Sequence, residues 1–205
     1  VSFELGGNAT FIVLDDADLD AAVEGAVAIK YLRVGGQSCI CANRIYVQQR
    51  IASGFIPAFV ERVKALKVGP GFEAGVQVGP LINEETRKKV HDLVEDAVRR
   101  GGTVLTGGHA LRDGAYARGY FYAPTVLTDV QDDWPVCQEE IFGPVAPILT
   151  FGTEEEVIRR ANDTTFGLAS YLYSRDLGRI VRVAEGLEYG LVGVNDAAGY
   201  THEIP

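Results

Sequence analysis

The run Gly35-Gly36-Gln37-Ser38-Cys39-Ile40-Cys41 carries the residue type best suited to nucleophilic chemistry. A thiol attacks as its thiolate, so exposure and acidity decide whether it reacts. The two glycines relieve steric limits on the backbone and allow a loop to present Cys39. Gln37 and Ser38 add polar groups near the sulfur. The same run fits a buried structural thiol equally well, because free cysteine is among the most buried residue types. A second titratable group, Glu4, stands in Phe3-Glu4-Leu5-Gly6-Gly7-Asn8. Its apolar neighbours fit a partly desolvated group with a raised pKa. An ordinary solvated glutamate is the competing reading.

Alternating strand and helix patterns must position these groups. Residues 9–14 read as a buried strand, followed by Asp15, Asp16 and Asp18 as cap chemistry. Leu19, Val23, Ala26, Val27 and Lys30 recur at helical spacing, which predicts a helix to about Tyr31. Residues 45–48 read as a strand. Ser53 is the expected cap of a helix with Phe55, Phe59, Val63 and Leu66 on its apolar stripe, stopped by Gly69-Pro70-Gly71. Asn83 opens another amphipathic helix that stops at Gly101. Strands are expected at 103–105, 121–127, 145–151, 168–173 and 191–194, and helices at 154–161 and 177–185. Pro124 inside the second of these strands favours an edge or a strand end. Residues 107–119 read as a surface loop, and Ser174-Arg175-Asp176 as a turn and helix cap. The repeated alternation predicts an α/β fold in three layers, a mostly parallel twisted sheet with helices on both faces.

Composition narrows the function classes. The 205 residues, 47% hydrophobic and 23% charged, suit one globular domain with a substantial core. A net charge of −9 argues against nucleic acid or an anionic membrane as partner. No apolar run approaches the length of a spanning helix, and no secretory signal is visible. Cys39, Cys41 and Cys137 make no disulfide framework, and without a CxxC pair a zinc site is not expected. Reduced thiols fit a cytoplasmic location. The chain lacks methionine and opens at Val1, which reads as an excerpt from a longer protein.

Four motifs stand in order: Phe3-Glu4-Leu5-Gly6-Gly7-Asn8, the Cys39 run, Glu139-Glu140-Ile141-Phe142-Gly143-Pro144-Val145, and Asn162-Asp163-Thr164-Thr165-Phe166-Gly167-Leu168. Together they resemble the NAD(P)-dependent aldehyde dehydrogenase superfamily. The resemblance implies a thiolate that adds to an aldehyde carbonyl, hydride transfer to NAD or NADP, and hydrolysis of the resulting thioester with help from a base. It assigns Cys39 as nucleophile and Glu4 as general base. Glu140, rather than Glu139, resembles the carboxylate that accepts from the nicotinamide ribose hydroxyls. Phe142 resembles the aromatic near the nicotinamide, and the backbone of Leu5 is expected beside its amide. Asn195, at the end of Leu191-Val192-Gly193-Val194-Asn195, is read as structural. Cys41 and Cys137 are read as structural thiols, although in some relatives the Cys-x-Cys pair is a redox switch.

The aldehyde is suggested by Arg33. In enzymes similar to succinate-semialdehyde dehydrogenase, a matching arginine grips the distal carboxylate, a contact suited to a guanidinium. A surface charge favoured by a helix end is the alternative. The segments Cys39–Gln48 and Ala184–Gly190 lean to the same subgroup. Residues 196–202 lack the serine expected as a second carboxylate contact, with Tyr200 or Thr201 as substitutes. The resemblance further implies a small-molecule aldehyde as substrate and a homo-oligomer, dimer or tetramer, for the full-length protein. It divides the chain into residues 1–5 as the end of a dinucleotide-binding domain, 6–195 as the catalytic domain, and 196–205 as a segment returning toward the first. No GxGxxG fingerprint is present. A CoA-acylating aldehyde dehydrogenase and a non-catalytic truncated homologue are the alternatives.

Overall fold

The computed structural model describes residues 5–197. A seven-stranded sheet runs through the centre, in the order β3 (Thr103–Thr106), β6 (Thr125–Thr128), β7 (Val145–Phe151), β2 (Ala42–Gln48), β1 (Ala9–Val13), β8 (Ala169–Tyr173), β9 (Leu191–Val194). Its middle strands are β1, β2, β7 and β8, all parallel and almost wholly buried. Continuous apolar runs such as Ala-Thr-Phe-Ile-Val belong in such a position, since helices cover both faces of a parallel sheet. β6 and β9 extend the parallel ladder, and β3 closes one edge antiparallel to β6.

Alternate strand residues feed two cores. Phe11 and Val13 pack with Ala22, Val23, Phe55 and Phe59 of α1 (Leu19–Val27) and α2 (Gln49–Lys64). Ile12 and Leu14 join the opposite core, with Val90 and Val94 of α3 (Glu84–Arg99), Val157 of α5 (Glu154–Asn162) and Val183 of α6 (Leu177–Gly186). The result is the expected three-layer α/β arrangement.

Side-chain caps start the helices where the sequence places them. Asp18, Asn83, Thr153 and Asp176 accept from the backbone N–H of Ala21, Thr86, Glu156 and Arg179, as short polar side chains do at an N-cap. Asp176 thereby fulfils the expected turn and cap at 174–176.

Three local expectations need correction, and one element was not foreseen. Helix α2 starts at Gln49 directly from β2, so Ser53 lies inside it and caps nothing. The strand expected over 121–127 is broken at Pro124 into β5 (Phe121–Tyr122) and β6, because proline gives no N–H to a ladder. The loop at 107–119 contains the short β4 (Ala110–Leu111), paired with β5. A one-turn helix α4 (Pro135–Gln138), too short for periodicity to reveal, precedes the Glu139-Glu140 motif. A further departure bears on the site: α1 does not run as regular helix to Tyr31 but widens into a π-helical turn over Ala28–Leu32.

Candidate functional site

Cys39 occupies a turn just before β2, closed by the Cys41 N–H donating to the Ser38 carbonyl at 3.0 Å. The approach to it is tightly coiled. Val34, Gly35 and Gly36 all have positive φ, at 44°, 62° and 81°. For glycine that region is free of penalty, whereas for a β-branched valine it is strained. A side chain at Gly36 would stand 2.3 Å from the Gly143 carbonyl oxygen, so the glycine admits the strand that follows the Glu139-Glu140 motif. The pair thus serves close packing as well as flexibility.

Three segments converge on the thiol. Gly7 crosses Cys39 so closely that a Cβ there would lie 1.8 Å from the Cys39 carbonyl oxygen. The Gly7 N–H donates to Oε1 of Glu140 at 3.0 Å. Gly6 has φ 77°, and a Cβ on it would meet Oε2 of the same carboxylate at 2.9 Å. Phe142 itself adopts φ 57°, an unfavourable conformation for a bulky residue. Strained backbone held in place by surrounding structure is characteristic of functional loops.

Two cavities include Cys39 in their lining. One, of about 380 Å³, is lined by Gly6, Gln37, Ser38, Cys39, Glu140 and Phe142. The other, of about 500 Å³ and more apolar, is lined by Leu5, Gly6, Cys39, Thr165, Phe166, Gly167 and Leu168. The fourth motif of the sequence therefore reaches the thiol through its Thr-Phe-Gly-Leu end. Glu139 is exposed and faces a different groove, beside Lys88 and Lys89 of α3.

Of the residues predicted from sequence, Cys39, Glu140, Phe142 and Leu5 come together around these cavities. Glu4 lies outside the described residues, as do Tyr200 and Thr201. Arg33 is half-buried at the end of the π-helical turn and lines neither cavity. It lies on the side of Tyr171, whose hydroxyl feels both the Arg33 charge and Cys39. Asn195 grips the Ser174 backbone through both ends of its amide, at 3.1 and 2.9 Å, which is the structural role expected of it.

The other thiols differ from Cys39. Cys39 is partly exposed, whereas Cys41 and Cys137 are buried. Burial pushes the Cys41 thiol up, against an opposing pull from Lys30. Burial raises Cys137 to about 12, with Asp132 adding in the same direction.

Several contacts that hold the site escaped the sequence reading. Tyr171 donates its hydroxyl to the Ile40 carbonyl at 2.9 Å and so braces the thiol turn. Gln37 donates to the Pro80 carbonyl and accepts from the Ile82 N–H, tying the turn to the 80–82 segment. Lys89 donates to the Glu140 carbonyl oxygen at 2.6 Å. Asn8 donates to the Cys137 carbonyl at 2.9 Å, and the buried Arg44 holds the Asn8 carbonyl. No spacing distinguishes Lys89 from the other charges on the polar face of α3; only the tertiary contact singles it out.

Known proteins give the same picture across the chain. The sequence model of the aldehyde dehydrogenase family matches residues 1–205. A probable succinate-semialdehyde dehydrogenase [NADP(+)] of Sinorhizobium fredii is 53% identical over 195 residues, covering 95% of this chain and 39% of its own length. A 3-sulfolactaldehyde dehydrogenase of Pseudomonas putida is 53% identical over 200 residues, 97% of this chain and 40% of its own. The crystal structure of a succinate-semialdehyde dehydrogenase from Burkholderia pseudomallei superposes with a TM-score of 0.92 at 52% identity, over 98% of this chain and 41% of that one. The chain thus spans about two-fifths of the length of these relatives. With its three-layer sheet and all four motifs in order, the chain belongs to the aldehyde dehydrogenase family.

Proposed function

We propose that the protein containing this chain oxidises an aldehyde to a carboxylic acid with NAD or NADP as acceptor, using Cys39 as nucleophile and Glu4 as general base. The observation that carries the reading is the shared cavity: a partly exposed thiol and the Glu140 carboxylate line one space, with the Gly6-Gly7 backbone pressed between them.

The donor set suits the nicotinamide half of a dinucleotide. A carboxylate accepts two hydrogen bonds from a vicinal diol, and the Gly7 N–H fixes Glu140 by one oxygen. Phe142 adds an aromatic face to the same cavity. Glu140, Phe142 and the Leu5 backbone would hold the group, which when bound supplies the hydride acceptor. The Cys39 thiolate forms the sulfur–carbon bond as the carbonyl π bond breaks, and the resulting thiohemiacetal oxyanion gives up hydride to the acceptor to become a thioester. Glu4 then takes a proton from the water that cleaves the sulfur–carbon bond, releasing the acid and the thiol. This hydrolytic role argues for water rather than CoA as acyl acceptor.

Relatives at 53% identity are named for succinate semialdehyde, glutarate semialdehyde and 3-sulfolactaldehyde, aldehydes that also carry an acidic group. We take such an anionic aldehyde as substrate and keep Arg33 as its proposed charge partner, reached on the Tyr171 side of the thiol loop rather than from either cavity. A homo-oligomer in the cytoplasm is part of the same reading.

The test is made in the full-length protein. Cys39→Ser abolishes NAD(P)H formation. Glu4→Gln gives a single burst of NAD(P)H followed by slow release of acid. Sustained wild-type turnover in either variant overturns the assignment.

A further inference from the structure

A wholly buried lysine lies beneath the site and takes no part in the chemistry proposed above. Lys30 is 0% exposed. Lysine is almost never fully buried without a partner, and burial pushes its ammonium group down, with Cys41 opposing. Its side chain donates to Oδ1 of the buried Asn43 at 3.2 Å.

Both residues sit at interruptions of regular structure. Lys30 belongs to the π-helical turn Ala28–Leu32. Asn43 falls where the register between β1 and β2 slips: Ala9 pairs with Ala42 and Thr10 with Arg44, leaving Asn43 without a partner on β1. Such turns and bulges recur at functional sites, where they re-aim a side chain.

The link continues toward the cavity. An amide has one acceptor end and one donor end, and an ammonium can only donate. Lys30 therefore claims the Asn43 oxygen and turns the Asn43 NH₂ toward the Gly7 carbonyl, 3.4 Å away. The N–H of the same Gly7 holds Oε1 of Glu140. The Lys30 carbonyl is also 3.1 Å from where a Gly36 side chain would start, so the buried lysine segment packs against the thiol loop.

We infer that Lys30 and Asn43 are positioning residues for the dinucleotide side of the site, with Lys30 fixing the Asn43 amide so that the Gly7 peptide holds the Glu140 carboxylate in place. This rests on the reading of Glu140 as a cofactor contact.

Titration calorimetry of the full-length protein with NAD⁺ and with NADP⁺ tests it, alongside thermal unfolding. The pivotal variant is Asn43→Asp. It keeps an acceptor for Lys30, and adds charge complementarity, but it removes the donor to the Gly7 carbonyl. A purely structural role predicts that Asn43→Asp folds and binds normally. The inference predicts that it folds yet binds the better of the two dinucleotides about tenfold more weakly, the loss expected from one buried hydrogen bond. Lys30→Met weakens binding to a similar extent, and the double variant is no worse than the weaker single one, because the residues act in one chain. Should Lys30→Met fail to fold, Asn43→Asp alone decides. Wild-type affinity in Asn43→Asp, or additive losses in the double variant, overturns the inference. Glu140→Ala is the control: unchanged affinity there overturns the cofactor reading itself. Weakening by Glu140→Ala but not by Asn43→Asp overturns only the role of Lys30 and Asn43.

Discussion

Gly7 shows how much of this site is decided by a single backbone position. It touches the Cys39 carbonyl, donates to Glu140 and accepts from Asn43. Gly7→Ala places a methyl group inside the Cys39 backbone, so the thiol turn must move. Displacement of a reacting atom by about 1 Å costs on the order of 100-fold in rate. Steady-state kinetics of the full-length variant, with circular dichroism to verify the fold, should show at least that loss. The thiols differ at the same scale. Partly exposed Cys39 should take up iodoacetamide first in peptide mapping, with Cys41 and Cys137 protected by burial. Raising the pH across the mildly alkaline range should not bring Cys137 into reaction, because its thiolate forms only near about 12. Prompt labelling of Cys137 in the folded protein would contradict the structure. The glycine pair and the Cys39 motif were legible as loop chemistry. The bracing by Tyr171, Gln37 and Lys89 was not, since each contact joins residues far apart in the chain.

At the scale of elements, the strands and helices near the site were largely visible as periodic runs, and what failed did so for identifiable reasons. The β5–β6 break follows from Pro124, and α4 is too short to show a period. The π-helical turn has no periodic signature either, yet it carries Lys30 toward Asn43. Away from the site, β1, β8 and α6 are joined by charge. The Asp16 carboxylate accepts from the Ser174 hydroxyl and from the N–H groups of Arg175 and Asp176, and it pairs with Arg179. Partial burial works to raise its pKa, but these donors together hold it below the ordinary aspartate value. A carboxylate depressed in the folded state stabilises the fold above its unfolded pKa, and the contribution is lost as pH falls through the folded value. Asp16→Asn should therefore lower the thermal midpoint at neutral pH. The gap to wild type should narrow as pH drops below about 3.8. An equal gap at all pH values would place the effect elsewhere.

For the whole molecule, two cores on either side of one parallel sheet bring the thiol turn, the Gly6-Gly7 segment and the Glu140 strand entry to one place. Leu5, at 81% exposed, and Ile82, at 73%, stand near this region with large apolar surface in water. The sequence by itself determined the alternation of strands and helices and the family motifs, because hydrophobic period, caps and glycine-rich turns are local properties. Only the tertiary structure decided which carboxylate faces Cys39, which thiols are withdrawn from water, and why a lysine is buried beneath the site. Those outcomes depend on tertiary contacts, from Lys30 with Asn43, 13 residues apart, to Gly7 with Glu140, 133 apart, which no local pattern encodes.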